Sequence, residues 1–366
     1  MRIPIKFEQR IDSPRWLVVA VPLASLLAAL IVGGIFLAST GHPPLDTFNS
    51  LLRGSFTTHR GFTNTLGLAT ILICTGLAAG FAFQMNLYNI GGEGQLYLGM
   101  IGGAWAGIAL GDHFPGYIAV PLTLAIGAVA GGLWVVIPAV AKSRLGTSEI
   151  VSTLLLNYVA LNLVNYFIFG SKGFFRDPET PFPQGRRVPD SVSLDPFGRT
   201  QTYPTIFLSV LLAIFLYWLI KKSEFGYRIK VLADSPRAAG YAGINAKRLM
   251  LSVLVISGAM AGLGGAMLVV GPTGKLDPGV ASIGLGYAGI VVAALARYNF
   301  VAIILASVLF AGLRVGGDSL QISTDVPIHI AVIIQGAVLI FALGGEVFRR
   351  YRIRIIRAEK AVGVPA

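Results

Sequence analysis

The chain has 366 residues, of which 54% are hydrophobic and only 13% charged, and its mean hydropathy is +0.73. That balance excludes an ordinary water-soluble domain of this length and fits a multi-pass membrane protein, since each crossing of a ~30 Å hydrocarbon core takes roughly 17 to 25 mostly apolar residues. The formal net charge of +12 then reads as membrane topology and attraction to anionic lipid, not as a footprint for nucleic acid, for which no module is present.

Ten apolar runs of spanning length follow one another, at 16–38, 62–83, 90–110, 117–140, 149–169, 204–220, 249–270, 280–296, 301–317 and 327–345, the third and eighth being the weakest. The expected fold is therefore all-α, with about ten transmembrane helices in one membrane domain, 1–366. Ten crossings leave both termini on one side. The Lys and Arg distribution places that side in the cytoplasm, because the N-terminal stretch, the insert 221–248 and the tail 346–366 hold most of the 29 basic residues. The first run follows a basic stretch but is too long for a signal-peptide core, so it reads as a retained span. The lone cysteine, Cys74, has no disulfide partner within the chain.

After the second run, NLYNIGGEGQ brings Asn86, Asn89, Glu93 and Gln95 together near membrane depth. A carboxylate and three amides there are expensive unless they face protein, water or solute. Gly91, Gly92 and Gly94 permit irregular backbone that frees amides and carbonyls for a ligand. These residues are candidates for a translocation path; the competing reading has Glu93 capping a helix or sitting at the aqueous surface. The fifth run carries Asn157, Asn162 and Asn165 with Tyr158 and Tyr166. Spacings of three and four put Tyr158, Asn162, Asn165 and Tyr166 on shared faces and point Asn157 elsewhere. Such a stripe suits a neutral, hydrogen-bonding solute with an apolar ring, and interhelical hydrogen bonding explains it as well. His329 and Gln335 are weaker candidates.

A proline-rich outer loop, 170–203, separates two halves of similar grammar, 16–169 and 204–345. Each half contains an apolar helix, a glycine-rich polar break and a small-residue-rich apolar segment: LAAGFAFQ before MNLYNIGGEGQ in the first, GGAMLVV before GPTGKLDPGVASIGLG in the second. By span count the breaks lie at opposite faces, as in an inverted repeat with the transport path at its interface. Glycines inside apolar runs, among them Gly127, Gly131, Gly132, Gly258, Gly262, Gly264 and Gly265, read chiefly as close helix packing.

Between Glu224 and Leu249 the polar insert EFGYRIKVLADSPRAAGYAGINAKRL interrupts the second half. Ser235 suits an N-cap, Pro236 the first helical position and Gly243 a left-handed exit, so 236–242 reads as a short exposed helix, an ordered loop or a handle for another protein. No phosphate-binding loop, metal-ligand pair of histidines or nucleophile elbow occurs, so the chain reads as a transport subunit and not an enzyme, with no cofactor. Charge is sparse in the apolar runs, which argues against a proton relay and so against the main rival, an ion-coupled carrier without an ATPase.

Taken together, NLYNIGGEGQLYLGMIGG, TSEIVSTLLLNYVA, and EFGYRIKVLADSPRAAGYAGIN followed by SGAMAGLGGAM resemble the permease subunits of bacterial ABC importers in the branched-chain amino acid, ribose and nucleoside group. The likeness spans about residues 62–345 and is nearest to the nucleoside or simple-sugar branch; branched-chain amino acid and monosaccharide permeases share the architecture. The resemblance implies a bacterial cytoplasmic-membrane permease that pairs with a second permease chain, cytoplasmic ABC ATPases and an extracytoplasmic solute-binding protein. It implies ATPase coupling by the segment Asp234, Ser235, Pro236, Ala238, Ala239, Gly240, Gly243, Ile244 and Asn245. It also implies that Asn86–Gln95 and Glu149–Asn157 border the path.

Overall fold

The computed structural model describes residues 5–9, 15–170, 173–324 and 329–355. Arg2, Arg10, Pro327 at the head of the tenth run, and the tail beyond residue 355 lie outside the described residues. The fold is all-α but for one short ribbon, and it divides into two compact units, 1–50 with 320–366, and 51–319.

In the first unit, α1 (Arg15–Ser39) packs on α14 (His329–Arg350). Gly345 and Gly33 allow the approach: a Cβ at Gly33 would stand 3.1 Å from Ile334. A two-stranded antiparallel ribbon, β1 (Ile5–Gln9) with β2 (Tyr351–Ile355), pairs Ile5 with Ile355 and Gln9 with Tyr351. It is an addition that the helical reading of the sequence did not contain.

The second unit is built on α3 (His59–Phe83), α4 (Gly92–Leu110), α5 (Gly116–Trp134), α7 (Glu149–Asn165), α8 (Thr205–Lys222), α11 (Ala246–Val270), α12 (Leu285–Leu295) and most of α13 (Phe300–Thr324). Local signals set the helix ends. The Thr58 hydroxyl accepts from Gly61 N–H at 3.0 Å at the head of α3, and Asn245 accepts from Arg248 N–H at 3.1 Å at the head of α11. Gly146, at φ +68°, closes α6 (Val136–Leu145) in the left-handed conformation that glycine adopts without strain.

Helix α11 runs between α4 and α5 on a glycine seam. A Cβ at Gly262 would lie 2.5 Å from the Gly127 carbonyl oxygen, and one at Gly131 would lie 2.5 Å from that of Gly258. Gly99 and Gly265 meet the backbone of the facing helix just as closely. The seam turns small residues into backbone contact and dispersion, the packing role expected of these glycines. Helix α3 packs on α12 while α4 packs on α11, so each half's first helix lies against the other half's second.

Among the described residues, seven helices are long and apolar enough to cross a membrane, or eight if the pair Leu27–Ser39 and Pro44–Thr57, bent by 120°, is one crossing. The count of ten is not reached. The third run is present as α4, but Glu93 and Gln95 in its first turn and its many glycines leave it too weakly apolar to count among the seven. The eighth run, a 3₁₀ turn at Pro278–Ser282 continuing into α12, is one of the seven, whereas the first and tenth runs are not counted among them as single helices.

Candidate functional site

The two polar breaks end at one place. Helix α4 begins at Gly92 and α12 at Leu285, and these two N-termini meet inside the second unit. At Gly286 an added Cβ would fall on the backbone nitrogen of Glu93, so only glycine fits. Two helix N-termini bring unpaired amides and partial positive charge together, and a carboxylate answers both needs. Glu93 supplies it. The side chain is 2% exposed; its Oε2 accepts from Gly286 N–H at 2.6 Å and Tyr287 N–H at 3.2 Å, and its Oε1 accepts from the Tyr97 hydroxyl at 2.6 Å. Glu93 thus caps a helix, but that helix is α12, 193 residues further along the chain, and not its own.

Amides fasten the rest of the break. Asn89 and Gln95 exchange a reciprocal pair of hydrogen bonds at 2.9 and 2.8 Å, Asn89 Oδ1 also accepts from Gly91 N–H at 3.0 Å, and Asn89 Nδ2 also reaches the Ser257 hydroxyl at 2.9 Å. Ser257 in turn donates to the Ala78 carbonyl at 2.7 Å, which ties α11 to α3. From α7, Asn157 Oδ1 accepts from Gly94 N–H at 2.8 Å, and its Nδ2 donates to Ile90 O at 3.0 Å and the Tyr287 hydroxyl at 3.1 Å. Thr153 accepts from Ile90 N–H at 3.3 Å. Buried polar groups in this junction are therefore mutually satisfied, the condition under which they are tolerated.

The sequence-based path candidates separate into four positions. Asn89, Gly91, Gly92, Glu93, Gln95 and Asn157 form the junction. Glu149 is buried nearby and pairs with Lys142 at 2.6 Å. Asn162 is not brought in: it is exposed on α7 and donates to its own helix, at Tyr158 O, 2.8 Å. The face chosen from the polar stripe is thus the outer one, and Asn157 is the asparagine that points inward. Tyr97, Tyr287, Thr153 and Ser257 were not anticipated; of these only Tyr97, four residues after Glu93 on the same helix, had a local signal.

Asn86 stands apart, at φ +54° on the surface, where its Nδ2 donates to Ala233 O at 3.2 Å at the end of α9 (Glu224–Asp234). Directly after Asp234 comes α10 (Pro236–Tyr241). Ser235 Oγ caps it from Ala238 N–H at 3.3 Å, and Pro236 occupies its first turn. Gly243, at φ +71°, ends it with Gly243 N–H to Gly240 O at 3.1 Å and Ile244 N–H to Ala239 O at 2.9 Å, a Schellman pair. Ala239 is fully buried and pins the helix, while Ala238, Gly240 and Tyr241, which is 95% exposed, face outward. The reading of 236–242 as a short exposed helix therefore matches the structure, with Ala242 as its C-cap.

A cavity of about 570 Å³ adjoins the start of α12. Its polar wall carries Arg60, Asn64, Gln201 and Asp277, and Ile71 and Leu285 are part of its apolar wall. Asn64 Oδ1 is buried without a hydrogen-bond partner among the described residues. Leu285 links cavity to junction: its carbonyl accepts from the Thr75 hydroxyl at 3.0 Å and the next amide, Gly286, is held by Glu93.

Comparison with known proteins agrees with this architecture. Residues 61–343 match the family model described as branched-chain amino acid transport system / permease component. The chain is 31% identical to the glucose ABC transporter permease protein TsgB13 of Haloferax volcanii, over 100% of this chain and 98% of that protein. It is also 31% identical to the guanosine ABC transporter permease protein NupP of Bacillus subtilis, over 90% of this chain and 94% of that one. The nucleoside ABC transporter permease protein NupB of Lactococcus lactis is 28% identical, over 88% and 90%. With the matched region spanning both breaks, the junction they form and the capped helix α10, the chain belongs to the family of branched-chain amino acid transport system permease components.

Proposed function

We propose that this chain is the membrane permease subunit of an ATP-driven importer for nucleosides or related sugars. The solutes named in its relatives, guanosine, nucleosides and glucose, are neutral and rich in hydroxyls. A cavity with Asn, Gln, Arg and Asp side chains on one wall and aliphatic side chains on another offers hydrogen bonds to hydroxyls and an apolar surface to a ring. The chain itself carries no nucleotide-binding motif, so ATP hydrolysis belongs to partner ATPase chains. A second permease chain and an external solute-binding protein complete the assembly, in a bacterial cytoplasmic membrane with both termini on the cytoplasmic side.

The observation that carries this reading is α10, a helix of six residues held at both ends by its own caps and pinned by one buried alanine, with its outward surface unoccupied by the described chain. The segment Asp234–Asn245 seats on the ATPases. Motion of α10 passes through α9 to Asn86, and from Asn86 along the break to Glu93 and α12, so closure of the ATPases reaches the junction through bonded neighbours. The junction is the element with two arrangements: fastened, as here, or parted to let solute through. Between the reciprocal helix pairs α3 with α12 and α4 with α11, the same pairing an inverted repeat generates, the solute path runs past the junction.

The test is affinity purification of the chain from its native membrane, followed by ATP hydrolysis measured against guanosine, other nucleosides and glucose. Co-purified ATPases and hydrolysis stimulated by a solute-loaded binding protein are expected. Transport in proteoliposomes by the lone chain without ATP would overturn the assignment in favour of a carrier.

A further inference from the structure

Three buried side-chain polar atoms lack a hydrogen-bond partner among the described residues, Asn64 Oδ1, Trp134 Nε1 and Ser307 Oγ, and of these only Asn64 lines the cavity of about 570 Å³ at the start of α12. Its Nδ2 bonds to no described residue either. Water satisfies the exposed Arg60 and Gln201 that mark the mouth of this cavity. A buried acceptor on the wall is different, because it needs a partner that enters with whatever fills the space. The junction holds nothing comparable for an incoming solute. There Asn89 and Gln95 are bonded to each other, Asn157 is bonded through both ends of its amide, and Glu93 accepts three hydrogen bonds. Of the two polar clusters, the cavity is thus the one with unmet hydrogen bonding, and Asn64 is its buried part.

The rest of the wall shows what kind of solute fits. Its buried residues are aliphatic: Ile71 from α3, Leu268 from α11, Val280 from the 3₁₀ turn and Leu285 from α12. A hexose carries a hydroxyl on nearly every carbon, and against such a floor those hydroxyls lose water and gain no partner. A nucleobase has two apolar faces and one polar edge. The Asn64 amide sets a donor and an acceptor side by side, the complement of a base edge and the pairing by which asparagine and glutamine read bases. At the mouth, Arg60, Gln201 and the half-buried Asp277 are placed for the hydroxyls of a ribose. We infer that this cavity takes a nucleoside base first, with Asn64 reading the edge of the base, and that Asn64 sets the preference of this chain for a nucleoside over a hexose. The inference rests on the importer reading above and narrows its solute.

The test uses the full chain with its co-purified partners in proteoliposomes, supplied with ATP and one binding protein. It compares uptake of inosine with that of purine riboside, whose base lacks the carbonyl and N–H of the inosine edge. Wild type is expected to move inosine about tenfold faster, and Asn64→Leu to move the two at equal rates through a loss on inosine, since a buried polar group left unpaired rejects the mismatched partner. The binding protein is the same throughout, so a change in the ratio belongs to this chain. Asn64→Ala, smaller than the native side chain, is expected to level the ratio too and carries the comparison if the leucine variant does not assemble. A wild-type ratio near one, an equal fall in both solutes, which marks a structural role, or an unchanged ratio in both variants, which marks an amide satisfied by water, overturns the inference. ATP-driven uptake of glucose and not of inosine also overturns it and leaves the importer standing, whereas uptake without ATP overturns the importer reading itself.

Discussion

Glu93 accepts three hydrogen bonds, two of them from the first turn of another helix, and no neutral side chain reproduces that set. In Glu93→Gln one terminal atom becomes a donor, so either the Tyr97 hydroxyl or the α12 amides lose their acceptor. Leaving a buried donor unsatisfied costs about 1–3 kcal/mol. Expected results are a lower thermal unfolding temperature for the purified variant and a fall of about tenfold in transport per folded molecule. Wild-type values for both would show that the carboxylate is dispensable. Tyr97→Phe is the matched control: it removes one hydroxyl and leaves the α12 cap intact, so its stability loss should be the smaller of the two. Gly286→Ala acts through the backbone instead, because its Cβ meets the Glu93 amide and neither chain segment is a flexible side-chain end. It is expected to part α12 from α4 and to abolish transport while leaving α10 in place, which retained co-purification of the ATPases would demonstrate.

At the scale of the element, what could be read from sequence depended on how far the relevant partners lie along the chain. Helix α10 was legible because Ser235, Pro236 and Gly243 act within a few residues of themselves. The glycine seam was legible in kind, since small residues at helical spacing inside apolar runs have few other uses. The partner of Glu93 was not, because nothing near residue 93 specifies residues 286 and 287. Nor was the inward face of α7: its polar stripe through Asn162 is outward, and packing against α4 selected Asn157. The same logic decides which residues test α10. A charge at the buried Ala239 would unseat the helix itself, whereas Ala238→Asp with Tyr241→Asp alters only its outer surface. That double variant should express normally and lose its ATPases on purification; undiminished co-purification would remove the docking role. Asn86→Ala separates docking from transmission: the ATPases should remain bound and hydrolyse ATP, with less solute moved per ATP, because the link from Ala233 to the break is cut.

For the whole molecule, the terminal ribbon sets a topological condition that composition alone left to charge counting. Strands Ile5–Gln9 and Tyr351–Ile355 are hydrogen-bonded in register, so both ends of the membrane domain must emerge on the same face, and the number of crossings must be even. Seven crossings are therefore excluded as a total, and the seven candidate helices need an odd number of further crossings, drawn from α1, the bent segment Pro44–Thr57, α4 and α14. In the proposed topology that face, with basic residues beside both strands and in the segment joining α8 to α11, is the cytoplasmic one. Cysteine substitutions check this directly, because Cys74 is fully buried and offers little background. In intact cells a membrane-impermeant thiol reagent should leave Lys6→Cys, Arg352→Cys and Arg237→Cys unlabelled and should label Phe182→Cys, which is 78% exposed in the loop between the halves. Permeabilised cells should label all four, since access then no longer depends on side. Opposite behaviour of Lys6→Cys and Arg352→Cys in intact cells would mean an odd number of crossings and would break the ribbon. Labelling of Arg237→Cys from outside would place α10 away from any ATPase, and the importer assignment would fall with it.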